Sequence, residues 1–108
     1  MTMTIIDQLL LDLNEREKEV PAFVERIAPV FKALDWCWAD ENGCEVPDKY
    51  KIMLRAYELI RGLRIQLMTR KTNKKFDMWF VSTGGITVDA VHYEDGSIET
   101  NMIMEIHA

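Results

Sequence analysis

The chain has 108 residues, of which 48% are hydrophobic and 29% charged, and its net charge is −5 at pH 7. These values are typical of a single globular domain, residues 1–108, with enough apolar residues for one core. The acidic balance argues against nucleic-acid binding by the whole surface. The absence of a basic leader or a long apolar run predicts a cytoplasmic protein that does not enter a membrane.

The charges are sorted along the chain. Residues 49–75 carry nine Lys or Arg and one acid, whereas residues 1–48 carry four bases and eleven acids. Residues 76–108 carry six acids and no Lys or Arg. The three segments therefore have net charges of −7, +8 and −6 in chain order. We expect the basic block, residues 49–75, to be neutralised mainly by acids of the same molecule.

Two helices are predicted in the first third of the chain. Thr4 is a suitable N-cap for the first helix, and apolar residues follow it at helical spacing: Ile5, Ile6, Leu9, Leu10 and Leu13. Pro21 suits the first turn of the second helix. Pro29 falls inside that helix, where it removes a backbone hydrogen bond, so we expect a kink or a split there.

The segment from Asp35 to Pro47 breaks the helical pattern, and Asn42-Gly43 predicts the turn of a small hairpin. With that turn, Glu41 faces Cys44 and Cys37 lies beyond bonding reach. Two free thiols are therefore expected, which fits a reducing compartment. Their spacing is not that of a metal or redox pair, and no catalytic, cofactor or metal site is predicted.

A third helix is predicted from Pro47 to about Met68 by a continuous apolar stripe. A second strip along its side includes Tyr57, Arg61 and Arg64, residue types that dominate interfaces. The same strip is also typical of a helix flank packed on a neighbouring helix, and we favour that interpretation.

The rest of the chain alternates as strands do, over residues 76–82, 86–93 and 98–107, with turns at Gly84-Gly85 and around Gly96. The predicted fold class is α+β, with N-terminal helices, one long amphipathic helix and a C-terminal three-stranded antiparallel β-meander.

Both faces of this sheet carry large apolar residues. One face is the core, and the other is expected to carry Trp79, Val81, Val91, Tyr93 and Ile103. Either the first two helices cover this second face, or it is a surface for a homodimer or another partner. Asp89, which we expect on the side of Trp79, is interpreted as solvent-facing, or as an interfacial salt bridge or ligand contact beside Tyr93.

One set of motifs resembles a known group of proteins. It comprises Trp36-Cys37-Trp38, a Gly-containing acidic turn, Val46-Pro47, the long helix, and Ser82-Thr83-Gly84-Gly85 before a strand. Over residues 34–106 the chain is similar to small uncharacterised proteins carried by phages and other mobile elements. The resemblance implies a small accessory protein that binds a host factor, and it implies no catalytic residues.

Three functions remain open from the sequence. The leading hypothesis is a non-enzymatic interaction protein that forms a homodimer and binds another protein. The alternative is a small-ligand-binding protein with an apolar pocket between the long helix and the sheet, lined by Met53, Met78, Met102, Met104 and His92. The third is binding of an anion or nucleic acid by the basic block, which the net charge disfavours. A flat apolar patch favours the first hypothesis, and an enclosed cavity favours the second.

Overall fold

The computed structural model describes residues 3–70 and 76–105, apart from the side chain of Asp40. Its elements in chain order are α1 (Ile5–Lys18), α2 (Val20–Ala33), β1 (Trp38–Asp40), β2 (Gly43–Glu45), α3 (Lys49–Thr69), β3 (Asp77–Thr83), β4 (Ile86–His92) and β5 (Ile98–Met104). The fold class is α+β, as predicted. Among the described residues, no helix combines the length and the hydropathy needed to cross a membrane.

The first helix begins where its capping residue predicts. The Thr4 side chain accepts a hydrogen bond from the Asp7 backbone, and the Asp7 carboxylate accepts one from the Thr4 backbone, which is a capping box. Asp48 caps α3 through a single hydrogen bond that its side chain accepts from the Lys51 amide, so α3 begins at Lys49 and not at Pro47 as predicted. α2 continues through Pro29 as one helix, so the predicted split does not occur. Pro29 is exposed, and its ring therefore displaces no core side chain.

The large sheet is antiparallel with the order β3-β4-β5. Gly84-Gly85 forms a two-residue turn that pairs Thr83 with Ile86, and this register places Trp79 opposite Ala90. Because side chains alternate between faces, the register decides which residues of the three strands share a face.

One face of this sheet forms the core with the helices. α1 packs against β5, α3 packs against β3 and β4, and α2 packs against α3. The sheet side chains in this core are Trp79, Val81, Ile86, Val88, Ala90, Ile98, Met102 and Met104. The buried Thr100 hydroxyl donates to Asp12 of α1 at 2.6 Å, so a polar contact also holds β5 against that helix.

The small hairpin is fixed to the β3–β4 turn by two tryptophans. Nε1 of Trp36 and Nε1 of Trp38 both donate to the carbonyl oxygen of Gly84, at 3.1 and 2.7 Å. Phe31 of α2 stacks on Trp36 and meets Trp38 edge to face. The Trp36-Cys37-Trp38 motif and Gly84 are thus two sides of one contact.

Cys37 and Cys44 form a disulfide, with Cα atoms 5.5 Å apart. The expectation of two free thiols is therefore wrong, and the reason is the register of the hairpin. The turn residues are Glu41 and Asn42, so Cys44 pairs with Ala39, and Cys37 comes within bonding reach. The cysteines accordingly give no support to the expected reducing compartment.

Candidate interaction surface on the open face of the sheet

The face of the sheet opposite the core is not covered by any described helix. We call it the open face: Phe76, Met78, Phe80, Thr87, Asp89, Val91, Tyr93, Glu99, Asn101, Ile103 and Glu105. Its apolar side chains are substantially exposed, with 56% for Phe80, 46% for Met78 and 40% for Ile103. The alternative in which the first two helices cover this face is therefore not what the described residues show.

The composition of this face differs from the prediction on one strand. Val91, Tyr93 and Ile103 lie on it as expected, but Trp79 and Val81 lie on the core face. Trp79 is only 5% exposed, and its Nε1 donates to the carbonyl oxygen of Arg70. The two-residue turn is the sequence signal that places Phe76, Met78 and Phe80 on the open face. It pairs odd-numbered residues of β3 with even-numbered residues of β4, so the even-numbered residues of β3 share a face with Asp89, Val91 and Tyr93.

The middle of the open face is lower than its margins. Thr87, Asp89 and Val91 of the central strand are 5–7% exposed although no described helix lies on them. Their burial comes from larger side chains on the two edge strands, because Phe80 and Asn101 flank Asp89 in the register. The surface is thus a shallow trough along β4, with an apolar margin on the β3 side and a margin on the β5 side that is polar apart from Ile103.

The polar groups of the open face are mainly acids. Asn101 Nδ2 donates to Asp89 at 2.9 Å, Thr87 donates to Glu105 at 3.1 Å, and the Tyr93 hydroxyl donates to Glu99. Burial raises the pKa of Asp89, the hydrogen bond from Asn101 opposes this, and the nearby Glu99 and Glu105 charges add to it. The register places Asp89 on the same side as Tyr93, as expected, but not on the side of Trp79, and at 7% exposure it does not face solvent as one interpretation had it.

Three bases of the basic block pair with acids of residues 1–48. Lys49 lies 3.0 Å from Glu25, Lys51 lies 2.8 Å from Glu45, and Arg64 lies 2.5 Å from Glu17. All three acids belong to residues 1–48. Residues 76–105 contain no Lys or Arg, so the strands supply no cation to the acids of the open face. Lys71, Lys74 and Lys75 of the block lie outside the described residues.

The side strip of α3 is divided between packed and exposed residues. Arg64 donates to Asn14 and Glu17 of α1, at 2.9 and 2.5 Å, and Tyr57 packs against the core. Arg61 is exposed. Arg64 therefore lies as a residue of a packed helix flank does, whereas Arg61 does not.

The five residues predicted to line a ligand pocket do not share one side of the sheet. Met53, Met102 and Met104 pack against the core, and His92 lies on the same face of the sheet as Met102 and Met104, whereas Met78 lies on the open face. A cleft of about 260 Å³ is found elsewhere, between the hairpin and α3, where Arg55 stacks on Trp38 at 4.9 Å.

Within the described ranges, His, Cys, Asp and Glu side chains form no group of three or more that could hold a metal ion. No protein-family model matches the chain, and neither a curated protein nor a solved structure is significantly similar to it. The resemblance to proteins of mobile elements therefore stays a prediction from the sequence.

Proposed function

We propose that the chain is a non-enzymatic protein-binding module that uses the open face to hold a segment of another protein. The observation that carries this proposal is the exposure of Phe80, Met78 and Ile103 on a sheet face that no described helix covers. Apolar groups of this size on one continuous surface are typical of interaction sites.

The apolar part of the face contributes only part of a stable complex. Full burial of one such side chain contributes about 1.5–3 kcal/mol. Five side chains of the open face are about half exposed, so covering them contributes about 5 kcal/mol in all: Phe76, Met78, Phe80, Tyr93 and Ile103. Micromolar binding needs about 8 kcal/mol after the entropic cost of association. The remainder has to come from polar or charged contacts with the partner.

The expected homodimer is the competing use of the same face, and it stays a prediction. In a dimer with two-fold symmetry the same surface meets itself, which brings Asp89, Glu99 and Glu105 of both copies together. The strands contain no Lys or Arg that could neutralise these acids. Repulsion between these carboxylates favours a different protein as the occupant. Sedimentation at pH 7 tests this point, because a dimer that Phe80→Ser dissociates would overturn the proposal.

A display library of random peptides tests the proposal directly. Peptides selected against the native protein are expected to lose about tenfold or more in affinity when Phe80 or Met78 is replaced by Ser. Leu11→Ser on α1 is the matched control, because Leu11 is 54% exposed and Phe80 is 56% exposed. Peptides that respond to the Leu11 substitution and not to the others, or a library that returns no binders, would contradict the proposal.

Other expectations from the sequence are neither required nor tested by this proposal. The cytoplasmic location and the role as an accessory protein of a mobile element remain predictions. Nucleic-acid binding by the basic block remains the weaker hypothesis, because Lys49, Lys51 and Arg64 each pair with an acid of the same chain.

A further inference from the structure

The open face combines an apolar margin on β3 with acids on β4 and β5 that have no cation from the same strands. Asp89 lies at its middle, and Glu99 and Glu105 are exposed on the neighbouring strand and just beyond it. Asp89 is only 7% exposed, so water compensates its charge poorly. Any segment that covers the trough removes still more water from this carboxylate. A partner without a positive charge would therefore bind at a cost.

The geometry around Asp89 suits one kind of cation best. Asn101 donates a single hydrogen bond to Oδ1 of Asp89. A carboxylate can accept about four hydrogen bonds, so Asp89 can still accept a bidentate pair from one donor group. Phe80 lies beside Asp89 in the register, and its exposed ring provides a flat apolar surface. A guanidinium group pairs with a carboxylate through two parallel hydrogen bonds and also stacks on aromatic rings.

We propose that the partner is a cationic, apolar segment that places an arginine on Asp89 and apolar side chains on Phe80, Met78 and Ile103. This inference rests on the proposed function and specifies the chemistry of its partner. Glu99 and Glu105 add attraction for further basic residues of the same segment. The face accordingly disfavours acidic segments, nucleic-acid phosphates and a second copy of itself.

Matched synthetic peptides test this chemistry. The probe alternates Leu with Arg, and its analogues carry Lys, Gln or Glu in place of Arg, all measured by fluorescence anisotropy at pH 7. The Arg probe is expected to bind at micromolar concentration at about 50 mM salt and to weaken at about 300 mM salt. The Lys analogue should bind a few-fold more weakly, the Gln analogue about tenfold more weakly, and the Glu analogue not measurably.

Variants of the protein locate the contact. Asp89→Asn retains the shape of the side chain and an acceptor for Asn101, and it is expected to weaken the Arg probe about tenfold while barely affecting the Gln analogue. Glu15→Gln on α1 removes the same charge from an exposed site outside the open face, and it should change the affinity less than about twofold. Circular dichroism of each variant verifies that the fold is retained.

The outcomes separate this inference from the proposed function. Library peptides that require Phe80 but show no enrichment of Arg or Lys, and no response to Asp89→Asn, would refute the inference and leave the proposed function intact. Binding of the Arg probe that responds equally to Glu15→Gln and Asp89→Asn would show attraction to net charge only, which also refutes it. Library peptides that do not require Phe80 would refute both.

Discussion

Replacement of Gly84 by alanine should destabilise the protein strongly, because two independent constraints meet at this residue. Its φ is +62°, a conformation that costs a residue with a Cβ about 1–2 kcal/mol. An added Cβ would also lie 2.5 Å from Nε1 and 2.8 Å from Cε2 of Trp38. The Trp38 ring cannot withdraw freely, since Phe31 and Arg55 contact it and its Nε1 donates to Gly84 itself.

The magnitude follows from these two constraints. Forced overpacking adds about 1–3 kcal/mol to the conformational cost of about 1–2 kcal/mol, so we expect a loss of about 2–5 kcal/mol in the free energy of unfolding. For a domain of this size the corresponding fall in Tm is about 10–25 °C. Urea unfolding followed by far-ultraviolet circular dichroism measures this loss without relying on tryptophan fluorescence, which the substitution itself would alter.

Gly96→Ala is the matched control for this experiment. Gly96 also has a positive φ, +89°, but nothing lies within 4 Å of an added Cβ. It should therefore show the conformational cost alone, and Gly84→Ala should exceed it by at least about 1 kcal/mol. In a Trp38→Leu background this excess should disappear, since the obstructing ring is absent. Equal losses at the two glycines, or an excess that survives removal of Trp38, would refute the reasoning.

Three further predictions concern other parts of the molecule. Thiol titration of the unfolded, unreduced protein should find no free thiol, and replacement of Cys37 and Cys44 by serine should lower stability by no more than about 2.5 kcal/mol, because the closed loop is short. Burial raises the pKa of Asp89, so the folded state binds the proton of this carboxyl more tightly than the unfolded state does. The free energy of unfolding therefore falls as the pH rises from the ordinary pKa of 3.8 through the raised pKa of the folded state. Asp89→Asn should accordingly raise the free energy of unfolding at pH 7 and flatten its dependence on pH in that window; no change in either would contradict the assignment. Arg64→Met should cost no more than about 1 kcal/mol, because its pair with Glu17 is partly exposed; a larger loss in urea unfolding would show that the pair holds α1 on α3.

Local patterns predict the elements of this fold well, because the relevant forces act over a few residues. Thr4 and Asp7 mark the start of α1 through a capping box, and the apolar spacing of α3 identifies its buried side. Alternation within each strand is equally local. These patterns do not state how one strand lies against the next, and the errors over the disulfide and over Trp79 arise there.

The two errors have the same origin in turn geometry. In the hairpin, a turn displaced by one residue brings Cys37 and Cys44 together. In the sheet, alternation alone does not include the register that the Gly84-Gly85 turn imposes, and it predicts Trp79 on the wrong face. A shift of one residue exchanges the two faces of a strand, so turns deserve the same weight as alternation.

The arrangement of charges bears on function more than on stability. Bases of α3 meet acids of the first 48 residues, as the pairs of Lys49 and Arg64 show, so part of the basic block has partners within the fold. No comparable account exists for Asp89. Aspartate is unfavourable in a strand, and burial raises its pKa, so a neutral polar residue would serve the sheet better. A destabilising acid at the middle of an exposed apolar face is expected where recognition matters more than stability, and a cation from a partner would remove its cost.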